Sequence, residues 1–195
     1  HLAEIQGNII RPYTFAHQRG LFFKIDQGET GRSWLGELAE RVTPATCWPD
    51  GDGPSSALNI GISYFGLRAL QLTEDALASF PPEFQAGAVG RAQILGDVGE
   101  LSPEHWEDGF GGKDIHVAVF VYSATKDEIE SQSKWIRDLA KQAGGVEEIA
   151  AHDAYAFEDG VEHFGYRDGL TDVPIEGTEE IYPQNPGGGT RRPYG

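Results

Sequence analysis

Methionine is missing from all 195 positions, and cysteine occurs once, at Cys47. No apolar run approaches the roughly 18 residues that a membrane-crossing helix needs. A single cysteine excludes an internal disulfide and a zinc site built on cysteines, and it leaves the redox compartment open. With no methionine even at position 1, we expect that the chain begins after processing or that the sequence is not the whole translation product. No signal-peptide pattern is visible in it. Basic residues are also scarce: Lys+Arg number 15 against 31 Asp+Glu, for a net charge of -16. Nucleic acid and anionic membrane both require a cationic face, so neither is an expected partner. The acids are scattered along the chain, as on the solvated surface of a soluble protein, cytoplasmic or bacterial secreted. No Asn-x-Ser/Thr acceptor occurs, which leans away from eukaryotic secretion.

What the chain does have is enough apolar content, 39% against 24% charged, to build the core of one large domain. Leu21-Phe22-Phe23-Lys24-Ile25 is a short apolar run between Gly20 and Asp26-Gln27-Gly28, and it reads as a buried strand. From Thr30 to Val42, the spacing of Trp34, Leu35, Leu38 and Val42 predicts a helix that Pro44 ends. Ala57 to Ile62 alternates like a half-buried strand, and a short helix follows over Tyr64 to Leu70. After the break at Pro81-Pro82, Phe84 to Leu95 predicts another helix, weakened by Gly87 and Gly90. Gly96 to Lys113 is a polar, glycine-rich loop.

Ile115 to Tyr122 is rich in β-branched residues and is the strongest strand signal. Lys126 to Ala143 is the strongest helix, with Ile129, Ser133, Ile136 and Ala140 on one face and Gly144-Gly145 at its end. Glu148 to Phe157 makes a fourth strand. The order β, α, β, helical excursion, β, α, β predicts an α+β, ferredoxin-like βαββαβ fold with an antiparallel sheet. We expect that domain to occupy residues 1–177. Residues 178–195, with Gly187-Gly188-Gly189 and three of the eleven prolines, read as an extended C-terminal tail or linker.

The chemistry-bearing stretch is His163-Phe164-Gly165-Tyr166-Arg167-Asp168-Gly169-Leu170-Thr171-Asp172, directly after the fourth strand. Between His163 and Gly169 it gathers three ionisable side chains, two aromatics and two glycines. Glycines permit positive φ and close approach of a ligand to the backbone. The competing reading is a surface turn, because Asp-Gly is a common turn pair and Asp168 can hydrogen-bond its own backbone.

This loop resembles the Gly-x-x-Asp-Gly motif of the dye-decolourising peroxidases, a haem peroxidase family. Gly165, Asp168 and Gly169 match the motif, and Phe164 and His163 fit its commoner form. The resemblance extends along most of the chain: Ile5-Gln6-Gly7-Asn8-Ile9, Leu58-Asn59-Ile60, Gly66 to Leu70, Phe80-Pro81 with Phe84, Leu95-Gly96-Asp97 and Ile115-His116-Val117. Members of the family have two ferredoxin-like halves with haem between them, and this chain is similar to the first half. The resemblance implies haem b as cofactor, hydrogen peroxide and aromatic reductants such as dyes and phenols as substrates, and a C-terminal haem-bearing half as partner. That half, in a separate chain or a missing segment, would carry the iron-ligating histidine and a distal arginine, so no metal ligand is expected among the present residues. Apolar surface facing that half is expected to lie exposed.

The resemblance assigns catalysis to Asp168, and to Phe164, Gly165, Arg167, Gly169, Leu170 and Thr171 a place against the haem. Arg167 steadies a propionate or the loop, or forms a surface ion pair. An aspartate, with a reference pKa of roughly 3.9, stays a base at pH values where histidine is protonated, so activity on the acid side is expected. His116, in the best strand, reads as a core histidine. Trp34, Trp48, Trp106 and Trp135 are candidate electron relays, though core packing accounts for most tryptophans.

Two other classes compete with this reading. One is a haem-free ferredoxin-like binding or regulatory module derived from such a peroxidase. The other is a metal-dependent hydrolase using His152, Asp153, Asp159 and His163, whose spacing follows no known ligand pattern. Gly111-Gly112-Lys113 is no phosphate loop, since the required Gly-x-x-x-x-Gly-Lys-Ser/Thr pattern and a preceding strand are missing.

Overall fold

A computed structural model describes residues 1–10, 13–46, 54–157, 161 and 163–166. A short helix α1 (Gly7–Ile10) leads to strand β1 (His17–Ile25), helix α2 (Gly28–Ala39) and strand β2 (Ser56–Ile62). The excursion holds α3 (Tyr64–Ala69), α4 (Glu74–Ala78), α5 (Pro82–Gly90), α6 (Ala92–Leu95) and a series of single 3₁₀ turns. Strand β3 (Val117–Ser123), helix α7 (Lys126–Ala143) and strand β4 (Val146–Tyr155) complete the domain. The sheet order is β2-β3-β1-β4 with every neighbouring pair antiparallel, which is the expected ferredoxin-like arrangement.

The register follows from burial. Leu21, Val119 and Ile60 lie side by side across three strands, as do Phe23, Val117 and Ile62 across the same face. Because strand residues alternate between faces, Leu21, Phe23, Ile25, Val117, Val119 and Val121 all point to one side, and all are buried. Helices α2 and α7 cover that side. Trp34 and Leu38 of α2 and Ile129, Ile136 and Ala140 of α7 join the same core. Each such aliphatic side chain contributes about 1.5–3 kcal/mol by leaving water. The α7 start is capped by Thr125, whose hydroxyl accepts the Glu128 N–H at 3.3 Å. Its end is closed by Gly144, at φ +68°, whose N–H bonds the Ala140 carbonyl.

Strand β1 begins at His17, four residues before the apolar run. The added residues pair on both sides, with Ser123 and with Tyr155 opposite His17. The helix expected over Phe84 to Leu95 is instead α5 and α6. Gly87 sits at φ +63°, ψ -178°, outside helical space, and the chain bends there and again at Arg91. Gly66 has a different task. A Cβ there would lie 2.1 Å from the His116 carbonyl oxygen, so only glycine lets α3 pack against the entry to β3.

Strand β2 is the sheet edge beside β3, and its outer side is covered by side chains. The Gln6 amide donates to the Ile60 carbonyl at 2.8 Å and accepts the Ile60 N–H at 2.7 Å. It also accepts from the Asn59 amide at 3.3 Å. Thr43 pairs with Leu58 in the same way: its N–H donates to the Leu58 carbonyl and its hydroxyl accepts the Leu58 N–H. These contacts close groups that would otherwise template pairing with another chain. Gln6→Ala should therefore lower unfolding stability by about 1–3 kcal/mol through unsatisfied partners on β2. Denaturant unfolding at unchanged m-value is the measurement.

Candidate functional site

The motif loop leaves the sheet at the end of β4. Ala156 continues the strand by donating its N–H to the Ala16 carbonyl at 2.9 Å. Beyond it the Phe157 ring packs on the His163 imidazole at 4.6 Å, and Tyr155 lies 6.2 Å from the same ring. This small aromatic cluster anchors the base of the loop to the edge strand. Phe164 and Tyr166 are 87% and 76% exposed, and Gly165, at φ +84°, has nothing within 4 Å of where a Cβ would stand. Two large rings thus lie uncovered on either side of a glycine with open space. Of the candidate site residues, Phe164 and Gly165 are placed on this loop. Arg167, Asp168, Gly169, Leu170 and Thr171 lie outside the described residues, as do Trp48 and Asp159.

The histidines divide clearly. His116 is 9% exposed, and its Nδ1 accepts the Ile25 N–H at 2.9 Å. It is the core histidine expected from its strand position. Burial pushes its pKa below the ordinary value of about 6.5. His152 bonds the Asp108 carboxylate at 2.8 Å, on the sheet face that α2 and α7 leave uncovered. There it meets the rings of Phe22 and Phe110 edge-on. Asp153, its neighbour, points to the other face, where Arg19 grips it through Nε at 2.6 Å and Nη2 at 2.9 Å. The same guanidinium forks onto Glu130 at 2.8 and 2.9 Å. Arg19 thereby ties β1 to β4 and α7, and its hydrogen bonds hold both carboxyls below the usual carboxylate range.

Strand alternation thus puts His152 and Asp153 of the metal-hydrolase reading on opposite faces. Among the described residues no group of three or more potential metal ligands occurs. No described helix is long and apolar enough to cross a membrane. The arginine fork and the His152–Asp108 pair were not visible to sequence reasoning. Their partners lie 134, 111 and 44 residues apart, and only the tertiary fold brings them together. Trp34 is fully buried against Phe23, at 4.8 Å between ring centroids, as core packing of a tryptophan predicts.

The topology and the loop at the end of β4 define an α+β domain of ferredoxin-like type. The sequence matches the family described as the DyP dimeric alpha+beta barrel domain over residues 4–154, and the chain belongs to the dye-decolorizing peroxidase family. It is 28% identical over 182 residues to dye-decolorizing peroxidase msp1 of Mycetinis scorodonius, covering 91% of this chain and 34% of that protein. A dye-decolorizing peroxidase of Mycena epipterygia is 26% identical over 183 residues, covering 92% and 34%. Among solved structures, a fungal DyP-type peroxidase from Auricularia auricula-judae superposes with a TM-score of 0.75 at 27% identity, over 87% of this chain and 37% of that one. A dye-decolorizing peroxidase engineered in its heme pocket for asymmetric sulfoxidation gives 0.78 at 27% identity, over 91% and 39%. The chain spans about a third of the length of the curated relatives it matches.

The His116 environment generates a pH dependence of folding. A histidine with a folded-state pKa below its unfolded value contributes stability that is present above the unfolded pKa and lost as pH falls through the folded one. Unfolding free energy should decline as pH drops below about 6.5, because a proton on Nδ1 displaces the Ile25 N–H. In His116→Asn that component of the pH profile should be absent. Equilibrium denaturation of both proteins across pH 4–8 checks it.

Proposed function

We propose that this chain forms the distal side of a haem-dependent peroxidase that uses hydrogen peroxide to oxidise dyes and phenolic compounds. The observation that carries this reading is the position of the Gly165-x-x-Asp168-Gly169 motif, immediately after the last strand of the domain matched by the family. Two further observations support it. The loop's aromatic rings lie open, as a face for a planar cofactor requires. Apolar side chains also lie exposed on the excursion, Ile94 and Leu101 among them, as expected of a domain that packs against a second half.

Three of the described histidines already have protein neighbours, which agrees with a distal role for this chain. His116 is committed to Ile25, His152 to Asp108, and His163 to the aromatic anchor. The family resemblance places the iron ligand in the C-terminal half, together with a cation that stabilises developing negative charge. Haem b, when bound, supplies the two electrons taken up as the peroxide O–O bond breaks. Asp168 acts as the general base and then the general acid. It accepts a proton from the near oxygen of hydrogen peroxide and delivers it to the outer oxygen, which leaves as water. Phe164, Gly165, Gly169, Leu170 and Thr171 would hold the loop backbone against the cofactor. Arg167 neutralises a propionate or steadies the loop.

In the complete haem-bearing protein, Asp168→Asn should leave haem content nearly intact, because the carboxylate is no iron ligand. It should slow the reaction with peroxide by about 10²-fold or more, the scale of losing a general acid-base. Stopped-flow spectroscopy separates that step from reduction by electron donors, which should change less. A mutant rate within about threefold of the parent returns Asp168 to the role of a turn residue.

Residues 1–195 expressed alone should not hold hemin tightly. A hemin titration showing stoichiometric, histidine-ligated spectra at sub-micromolar affinity would overturn the assignment of the iron ligand to another segment. A complete protein purified without any haem absorption would favour the haem-free binding module instead.

A further inference from the structure

Helices α3 and α5 of the excursion line an open cleft of about 640 Å³, within the size range of small-molecule sites. Its wall is apolar and partly aromatic, with Tyr64 and Phe65 from α3 and Ala86 and Val89 from α5. Its polar lining includes two cations, Arg68 and Lys113, and no carboxylate. That charge pattern runs against the whole chain, which carries 31 acidic residues and 15 basic ones. Elsewhere the described cations are often occupied: Arg19, Lys24, Lys134 and Arg137 all pair with carboxylates. Arg68 and Lys113 are in no ion pair among the described residues.

The Lys113 ammonium stands 5.1 Å from the centre of the Phe65 ring. A ring quadrupole orients an ammonium without neutralising it, so the positive charge stays available at the cleft. Arg68 stands one helical turn beyond Tyr64 on α3, which places both on the same side of the helix. A planar guanidinium and an ammonium beside aromatic and aliphatic walls are the elements that recognise a flat ring bearing an acidic group.

We propose that the cleft between α3 and α5 binds a small aromatic anion, its ring against Tyr64, Phe65 and Val89 and its acidic group at Arg68 and Lys113. The site belongs to the excursion and makes no use of the motif loop, so it stands or falls independently of the peroxidase reading.

The probe is 2-naphthoate, titrated by calorimetry into the complete protein as isolated, with neutral 2-naphthalenemethanol as control. Saturable binding of the naphthoate is expected, with the alcohol at least tenfold weaker. Arg68→Gln combined with Lys113→Gln should weaken the naphthoate by about tenfold or more, and both sites are peripheral enough to leave circular dichroism unchanged. Ala86→Phe, which fills the cleft and keeps both cations, should also abolish binding. Equal affinity for the alcohol, binding that survives the double replacement or the filled cleft, or no binding at millimolar probe would each overturn the proposal.

Discussion

Everything in the described chain depends on one buried interface, the face of β1 and β3 that α2 and α7 cover. Leu21, Phe23, Val117, Val119, Trp34, Leu38 and Ile136 are all essentially inaccessible there. Since strand side chains alternate, this packing also determines what the opposite face carries. Phe22, Ala118, Phe120, Tyr122, Ala150 and His152 are sent to that second face by the register that buries their neighbours. A shift of one residue would expose the core and turn His152 to the helix-covered face, away from Asp108, so register and surface chemistry are a single constraint. The second face is only partly closed, by Phe110 on Phe22 and by Tyr13 on Tyr122. An aromatic and small-residue sheet face of that kind suits packing against another layer, in keeping with a domain that spans about a third of its relatives.

The fold was legible where local and tertiary demands agree. Helix α7 runs over the residues its periodicity predicts, Lys126 to Ala143, because its N-cap threonine, its 4-3-4 spacing of buried residues and its terminal glycine act together. Strands β2 and β3 fall within two residues of their expected bounds for a similar reason. Misreadings arose where one residue departs from the pattern around it. Gly87 looked like a weak helical residue, but it adopts a conformation open mainly to glycine, and two short helices result. Strand β1 extends through His17, Gln18 and Arg19, which carry no apolar signal, because pairing on both sides and the Arg19 fork stabilise them.

The site was legible in another way. Periodicity located the end of β4 and the loop after it, but the chemistry came from motif and resemblance, since a catalytic aspartate in Asp-Gly has the same local signature as a turn. The structure adds the aromatic anchor at Phe157 and His163 and the commitment of His116 and His152 to protein partners. The burial of His116 was legible from its strand, but the partners of both histidines were not, because the backbone amide and the carboxylate that bond them come from remote segments.

Acidity links the proposed chemistry to the fold. A carboxylate base remains competent well below neutral pH, where an imidazole base would be protonated, so an aspartate-based peroxidase gains range on the acid side. The same chain keeps His116 neutral in its core, and acid works against that arrangement from about pH 6.5 downward. The Arg19 fork has the opposite tolerance. The pKa values of Asp153 and Glu130 are lowered, so their contribution persists until pH falls below the ordinary carboxylate range. Between those limits the tie from β1 to β4 and α7 is intact while the tie from His116 to β1 weakens. The strand that leads into the motif loop is therefore held by the more acid-resistant of the two contacts.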